Sequence, residues 1–530
     1  MRAVQARPDA ESRWRGWPES VLTAGSVGLL ILIGAVIAAA HAGVSQNVTL
    51  PDWWGDWPHR QPGQLRGWVT VGIVLLGAQC ALWVWLARRL LRPWTATAER
   101  AERAERAEPD GGPAERARRR PGVGALAGIA GLWTLPLLVT GPMGSLDVNS
   151  YAAIGRLATL GLDPYLATPG WLTDGFVAAV DPMWRWTPTP YGPVQVALLR
   201  GLVLVAGDHV GTAVLLIRLV AVLGAACAVV LAVRAASSAD RVPVLLITGL
   251  NPVVLVHVVS GAHLDVLIGA LAVLVVGLAR SGRPVLAMSL AVVAMSIKLP
   301  GAVLVAFVLL DVVRAGPSVS RPGPVLRLMA SGLGTLSLVV MLCPDPFGWT
   351  AALGVPGMSR NGAAPSTWIS YLVAAVTGRA SGNGLTFAFT TGRAMTALVG
   401  AAAVCVLLWK ATSGSRDAAF RGVGWALVAC AVTAPALYPW YLVWGLFAAA
   451  IGSGVRGRAV LMALSCLLCL ASAAGEGTGV LVTWAVVLLA VFGWTVWVGR
   501  DLLTGRPGDS VGRRAVPSAE TRARYGMRAS

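Results

Sequence analysis

The 530-residue sequence predicts an all-α, polytopic integral membrane protein. Three observations predict it. Apolar residues make up 56 % and charged residues 13 %, about half the charge that coats a soluble domain. About fourteen apolar stretches approach the ~20 residues that a spanning helix needs. Arginine clusters separate those stretches in a regular alternation, as the positive-inside rule requires. The same figures exclude a disordered chain, a collagen and a secreted disulfide scaffold. The net charge of +18 suggests nucleic acid at first, but arginines flanking apolar spans report topology, and no nucleic-acid partner is expected.

Taken in order, residues 1–20 form a basic cytoplasmic segment and 21–91 two N-terminal spans, at 21–42 and 67–91. Residues 92–121 form a charged cytoplasmic linker. A core over 122–455 holds spans at 122–141, 209–233, 242–258, 264–280, 284–299, 300–315, 325–343, 393–411, 420–436 and 440–454. Spans at 458–474 and 479–499 close the 456–499 region, and 500–530 is a basic cytoplasmic tail. Pro300 breaks one long apolar stretch into two short helices, because it lacks an N–H and clashes with the preceding turn. The arginines near 88–92, 116–120, 234–241, 280–283, 314–327, 416–421 and 456–458 then share one side, which places both termini in the cytoplasm. The first span is read as retained, since its apolar run exceeds a signal-peptide core.

Between 98 and 108 the repeated Ala-Glu-Arg pattern pairs Glu99 with Arg103 and Glu102 with Arg106, which suits a solvated helix. Of seven cysteines, six lie in apolar runs and behave as small hydrophobes. Cys343 alone sits at an expected membrane edge. Cys466 and Cys469 have C-x-x-C spacing without a second pair or nearby His, so no metal or redox role is read there.

The informative extramembrane piece is the outer loop 142–208. Asp147 sits at the outer mouth of a span, where partial desolvation raises the basicity of a carboxylate that lipid-borne substrate can reach. Residues 150–161, with Tyr151, Ile154 and Leu157 at helical spacing, read as a helix lying in the membrane interface. Trp171, Trp184, Trp186 and Tyr191 fit an aromatic belt. The run 194–206 is too short to span and reads as juxtamembrane or re-entrant, with Arg200 and Arg218 near it. Ionisable residues within spans are rare and face interior cavities, which singles out His257, His263 and Asp265 after Asn251-Pro252, and Lys298 before Pro300. Two His and a carboxylate without a third His do not make a zinc site, so hydrogen bonding to phosphate or sugar hydroxyls is expected instead. Tyr438-Pro439-Trp440-Tyr441 marks another outer turn, suited to a belt or to sugar stacking.

The series Leu146-Asp147-Val-Asn-Ser-Tyr151, Gly161-Leu-Asp163-Pro164-Tyr165, Pro190-Tyr191-Gly192-Pro193, Gly261-Ala-His263-Leu-Asp265, Lys298-Leu-Pro300 and Pro439-Trp440-Tyr441 resembles the actinobacterial polyprenol-phosphomannose-dependent α-1,6-mannosyltransferases, integral-membrane glycosyltransferases of the C type. The likeness runs over about 120–455 and departs where related members often carry Gly-Gly-His-Asn-Asp. The resemblance implies mannosyl transfer from polyprenyl-phosphate-mannose to a lipid-anchored mannan on the outer face of the plasma membrane, with inversion and with Asp147 as the catalytic base. Lys298, His263, Arg200 and Arg218 become candidates for the donor phosphate. Tyr151, Asp163, Tyr191, His257, Asp265, Trp440 and Tyr441 become candidates for sugar and acceptor. Membrane lipids are further partners. No tightly bound cofactor is implied beyond the donor, and a divalent cation is compatible with these residues but not indicated by them. A polytopic transporter or lipid-linked-sugar flippase is the competing reading; the lack of an internal repeat and the scarcity of mid-span acids, Asp311 lying near a cytoplasmic end, count against it. A non-catalytic envelope scaffold is the third.

Overall fold

The computed structural model describes residues 19–41, 70–90, 122–314, 323–342 and 346–473, apart from 139, 144, 179 and 359. The expected 479–499 span, the 98–108 helix, both basic terminal segments and Cys343 lie outside the described residues. Every regular element described is helical, as a chain without solvent to satisfy its backbone requires.

Among the described residues, five helices are long and apolar enough to cross a membrane: Val21–Ala38, Thr70–Leu90, Val210–Ala235, Gly323–Leu342 and Gly382–Thr412. A sixth arises if Arg241–Gly249 and Val254–Ser260, bent by 58°, count as one span. The described residues do not support the expected count of about fourteen. Helices Val123–Leu138, Val266–Ala279, Pro284–Ile297, Ala302–Arg314 and Pro439–Gly452 are apolar but short, rising ~20–25 Å against a ~30 Å hydrocarbon core. Each buries part of its apolar surface inside the bundle, such as Trp133, Val273, Ala291 and Phe307. All ten residues of Val443–Gly452 are buried, which makes this helix a core strut. Gly323–Leu342 is the opposite case: only Leu328 and Val339 are buried, and Leu333 and Met341 face outward, as a lipid-facing helix requires. Small residues permit the tightest internal contact. A Cβ on Gly424 would lie 2.2 Å from Ala449 N, and one on Gly445 would lie 2.1 Å from Gly424 O, so helices 416–432 and 443–452 meet backbone to backbone.

Two breaks shape the interior, and both fall at proline. At Asn251-Pro252 the Asn251 side chain replaces the lost helix bonds: Nδ2 donates to Ile247 O (2.9 Å) and Ser465 Oγ (2.8 Å), and Oδ1 accepts from Val253 N (2.9 Å). The following turn, Val254–Ser260, widens into a π-helical form, a form often found at functional sites. At Pro300 the chain breaks as the sequence predicts, leaving Lys298 extended (φ −159°, ψ 144°) between helices 284–297 and 302–314.

That extension presents Lys298 to Asp265, one helix away. Lys298 Nζ lies 2.8 Å from Asp265 Oδ1, which also accepts from Trp444 Nε1 at 2.7 Å. This pair clamps one end of the bundle. At the other end Arg280 meets Asp311 (3.1 Å) and the Ala411 carbonyl, Arg314 lies 3.4 Å from the Trp409 ring centroid, and Arg458 meets Asp240 at 2.6 Å. Helix 266–279 runs from Asp265 to Arg280 and helix 284–297 returns to Lys298. Basic side chains therefore gather opposite the clamp.

Lys298→Ala leaves Asp265 buried and unpaired, so we expect a loss of ~3–5 kcal/mol in unfolding stability. Thermal unfolding in detergent measures it, and Lys298→Met combined with Asp265→Leu should recover much of the loss; wild-type stability of the single variant would reject the clamp.

Candidate active site

Beside the clamp lies a cleft open to solvent, about 600 Å³ including its open mouth, with Asp147, Ser150, Trp184, Tyr191, Lys298 and Trp440 among its walls. Asp147 is the first residue of helix Asp147–Thr159. The sequence predicts an interfacial helix here, whereas nine of its thirteen residues are buried. Gly155 explains the difference: a Cβ there would fall 2.6 Å from Leu199 O, so the helix packs against Pro193–Ala206. Tyr151, Ile154 and Leu157 consequently face protein. Helix 193–206, at fourteen residues, is indeed too short to span.

Asp147 donates its backbone N–H to Ser145 Oγ (3.1 Å) and accepts Trp184 Nε1–H on Oδ1 (3.1 Å). Burial disfavours the charged carboxylate and pushes its pKa up to about 6, against the opposing pull of Ser145 and of the Lys298 ammonium. Such a group is ionised at neutral pH and still basic enough to accept a proton. Ser150, one turn on, is buried against the cleft with no hydrogen-bond partner for its hydroxyl among the described residues.

The opposite wall is aromatic. His263 stacks on Trp440 (3.6 Å, 12°), and Trp440 stacks on Tyr438 (4.8 Å, 5°). Tyr441 stacks on Trp444 (4.4 Å, 22°). Lys298 Nζ lies 4.4 Å from the Tyr441 centroid and 5.2 Å from Tyr191, a cation held by ring faces as well as by Asp265. Tyr191 reaches this position because Gly192 abuts helix 284–297: its N–H donates to Ile297 O at 2.9 Å, and a Cβ would lie 2.2 Å from Ser296 O. Behind the wall, Tyr151 OH lies 3.1 Å from His263 Nδ1, and His257 sits 5.6 Å from the Trp440 ring.

The departure at residue 262 has a physical consequence. Ala262 has φ +59°, a left-handed conformation suited to glycine. It is held there because Gly261, Ala262 and His263 donate their N–H groups to Val256, Val258 and His257 of the π-helical turn. The strain adjoins the His263 stack.

The structure thus brings Asp147, Tyr191, Lys298, Trp440 and Tyr441 to the cleft, with Tyr151, His257, His263 and Asp265 in the row behind. It does not bring three expected residues there. Arg218 donates to the carbonyls of Leu137 and Thr140, satisfying the end of helix 123–138, and is not among the residues lining the cleft. Arg200 is exposed on helix 193–206, away from the cleft lining. Asp163 accepts from Tyr165 N (2.9 Å) and closes a local turn. Sequence reasoning missed Trp184 and Trp444 as carboxylate donors. The available signal was that an indole N–H withdrawn from water needs an acceptor. It also missed that Cys80 meets Cys466 and Cys469 across helices 70–90 and 455–473.

Comparison with known proteins agrees with the ordered motifs. Residues 22–314 match the family model for the N-terminal domain of alpha-(1->6)-mannopyranosyltransferase, and 366–500 match that of the MptB C-terminal domain. The chain is 29 % identical over 348 residues to alpha-(1->6)-mannopyranosyltransferase A of Mycobacterium tuberculosis, covering 63 % of this chain. It is 30 % identical over 380 residues to a probable alpha-(1->6)-mannopyranosyltransferase of Mycolicibacterium smegmatis, again covering 63 % of this chain. The chain spans 66 % of the length of each. Alpha-(1->6)-mannopyranosyltransferase B of Corynebacterium glutamicum is 25 % identical, with 60 % of this chain and 57 % of that protein covered. No solved structure matches. With more than half its length on the N-terminal model, the chain belongs to the alpha-(1->6)-mannopyranosyltransferase family.

Proposed function

We propose that the protein transfers mannose from polyprenyl-phosphate-mannose to a growing α-1,6-mannan on a lipid anchor, at the outer face of the plasma membrane. The observation that carries this reading is Asp147, a partly buried carboxylate with its pKa pushed up to about 6 at the wall of an aromatic cleft. Its neighbours suit a sugar: Trp440 and Tyr441 line the cleft with aromatic rings, and Ser150, Thr187 and Thr189 line it with hydroxyl-bearing side chains. The printed names of the relatives support mannosyl transfer with α-1,6 linkage.

The acceptor 6-hydroxyl gives its proton to Asp147 as its oxygen bonds to the anomeric carbon. The bond from that carbon to the phosphate oxygen breaks, and polyprenyl phosphate leaves with the electron pair. A single displacement converts a β-linked donor to an α product. Negative charge grows on the phosphate, and Lys298, on the cleft wall, is the cation placed to meet it. Because Asp265 already neutralises much of that ammonium, the hydroxyl of Ser150 and the ordered ring walls share the work of holding the phosphosugar. No tightly bound cofactor enters the scheme, since the donor carries its own leaving group. The collection of Arg280, Arg314 and Arg458 opposite the cleft supports an outward-facing cleft under the positive-inside rule.

Asp147→Asn should reduce transfer ~100- to 10,000-fold, the usual worth of a general base, with membrane insertion and folding retained. Mass analysis of products from polyprenyl-phosphate-mannose and a short α-1,6-mannoside measures this, and transfer at the wild-type rate would overturn the assignment. Only the ionised carboxylate accepts a proton. Activity should therefore be present above pH 6 and fall as pH drops through about 6, a limb that a rate–pH profile reads directly.

A further inference from the structure

We propose that Trp184 is a positioning residue for Asp147, its indole N–H fixing one carboxylate oxygen so that the other takes the proton. This rests on the reading of Asp147 as the base. The two residues are 37 positions apart, and Trp184 belongs to the loop that also brings Thr187 and Thr189 to the cleft.

That loop is built to hold one ring still. Trp184 lies in the four-residue helix Pro182–Arg185. Asp181 caps the helix, its Oδ1 accepting from Met183 N at 2.9 Å and its carbonyl from Trp184 N at 2.9 Å. Thr187 Oγ1 donates back to Met183 O at 2.8 Å. Trp186 covers Gly170 so closely that a Cβ there would lie 2.5 Å from its ring. Further back, Arg156 of helix 147–159 binds Asp174 and Asp208, each at 2.7 Å, tying the loop to the helix that carries Asp147. Of the three neighbouring apolar side chains, Met183 and Trp186 point outward while Trp184 turns into the cleft.

The chemistry follows from what an indole is. Its N–H donates and never accepts, at any pH. It therefore favours the ionised carboxylate, and it restricts rotation about the Asp147 side chain. With Oδ1 occupied at 3.1 Å, Oδ2 is the oxygen for the acceptor hydroxyl. The other groups bearing on Asp147 are the Ser145 hydroxyl, Lys298, Asp181 and Asp265, with the phenols of Tyr151, Tyr191 and Tyr441. None of them is altered by changing the indole.

The test is the rate–pH profile of the full-length protein with Trp184→Phe, beside Asp147→Asn. A hydrogen bond to a charged group corresponds to roughly one pKa unit, so the acid limb should move up by about one pH unit. The rate on the plateau should fall ~10-fold with little change in KM, as for a misplaced catalytic group. Replacing the indole by benzothiophene keeps the shape and removes only the N–H, so it should reproduce the shift even where Phe impairs folding. Trp184→His, which retains an N–H donor, should move the limb less. An unmoved limb in the benzothiophene variant overturns the proposal, as does a raised KM with an unmoved limb, which would make Trp184 a sugar-stacking wall. An active Asp147→Asn variant would instead remove the base itself, a failure of a different kind.

Discussion

A lysine in apolar surroundings must find an anion, and the meeting of Lys298 with Asp265 at 2.8 Å organises this end of the molecule. The pair joins the broken helix around Pro300 to the start of helix 266–279, and through Trp444 to the fully buried strut 443–452. Tyr191 and Tyr441 pack their ring faces on the same ammonium. Three otherwise separate walls of the cleft are thus anchored to one cation. The cost of desolvating both charges is offset by good geometry and by the indole hydrogen bond, and the result is a rigid site where rings and carboxylates keep their spacing.

Asp147 depends on that frame without belonging to it. It stands at the start of a short buried helix, fed by a loop whose Met143 N–H donates to Ser260 Oγ in the π-helical turn. Asp147, the widened turn and the His263 stack are therefore connected through backbone and hydroxyl. Burial raises the carboxylate's basicity while Trp184 and Lys298 keep its anion tolerable. A carboxylate in open water would be a weaker base, and one fully enclosed would stay protonated; the cleft wall lies between these limits.

Much of the candidate site is legible in the sequence for one reason. Ionisable residues in apolar runs carry an energetic cost visible from hydropathy alone, so Asp265, His263 and Lys298 stand out against their neighbours in the chain. The proline breaks at 252 and 300 are equally local, since each removes a donor from its own helix. Span counting reads less well. The residues of 443–452 and 266–279 are as apolar as those of a membrane span, and composition does not distinguish burial in protein from burial in lipid. Arg218 shows the same limit: its charge announces a partner, but the partner proved to be two carbonyls at a helix end.

Composition and the order of motifs determined by themselves that this chain is helical, membrane-embedded and furnished with a few charged groups too costly to be idle. Those properties belong to single residues and their near neighbours. The tertiary structure decided which group answers which. Lys298 meets Asp265 across 33 residues, Trp184 meets Asp147 across 37, Arg218 reaches Leu137 across 81, and Trp444 reaches Asp265 across 179. A desolvation cost is local, but the donor or counter-charge that offsets it is chosen by packing, which the chain settles only when its helices close on one another.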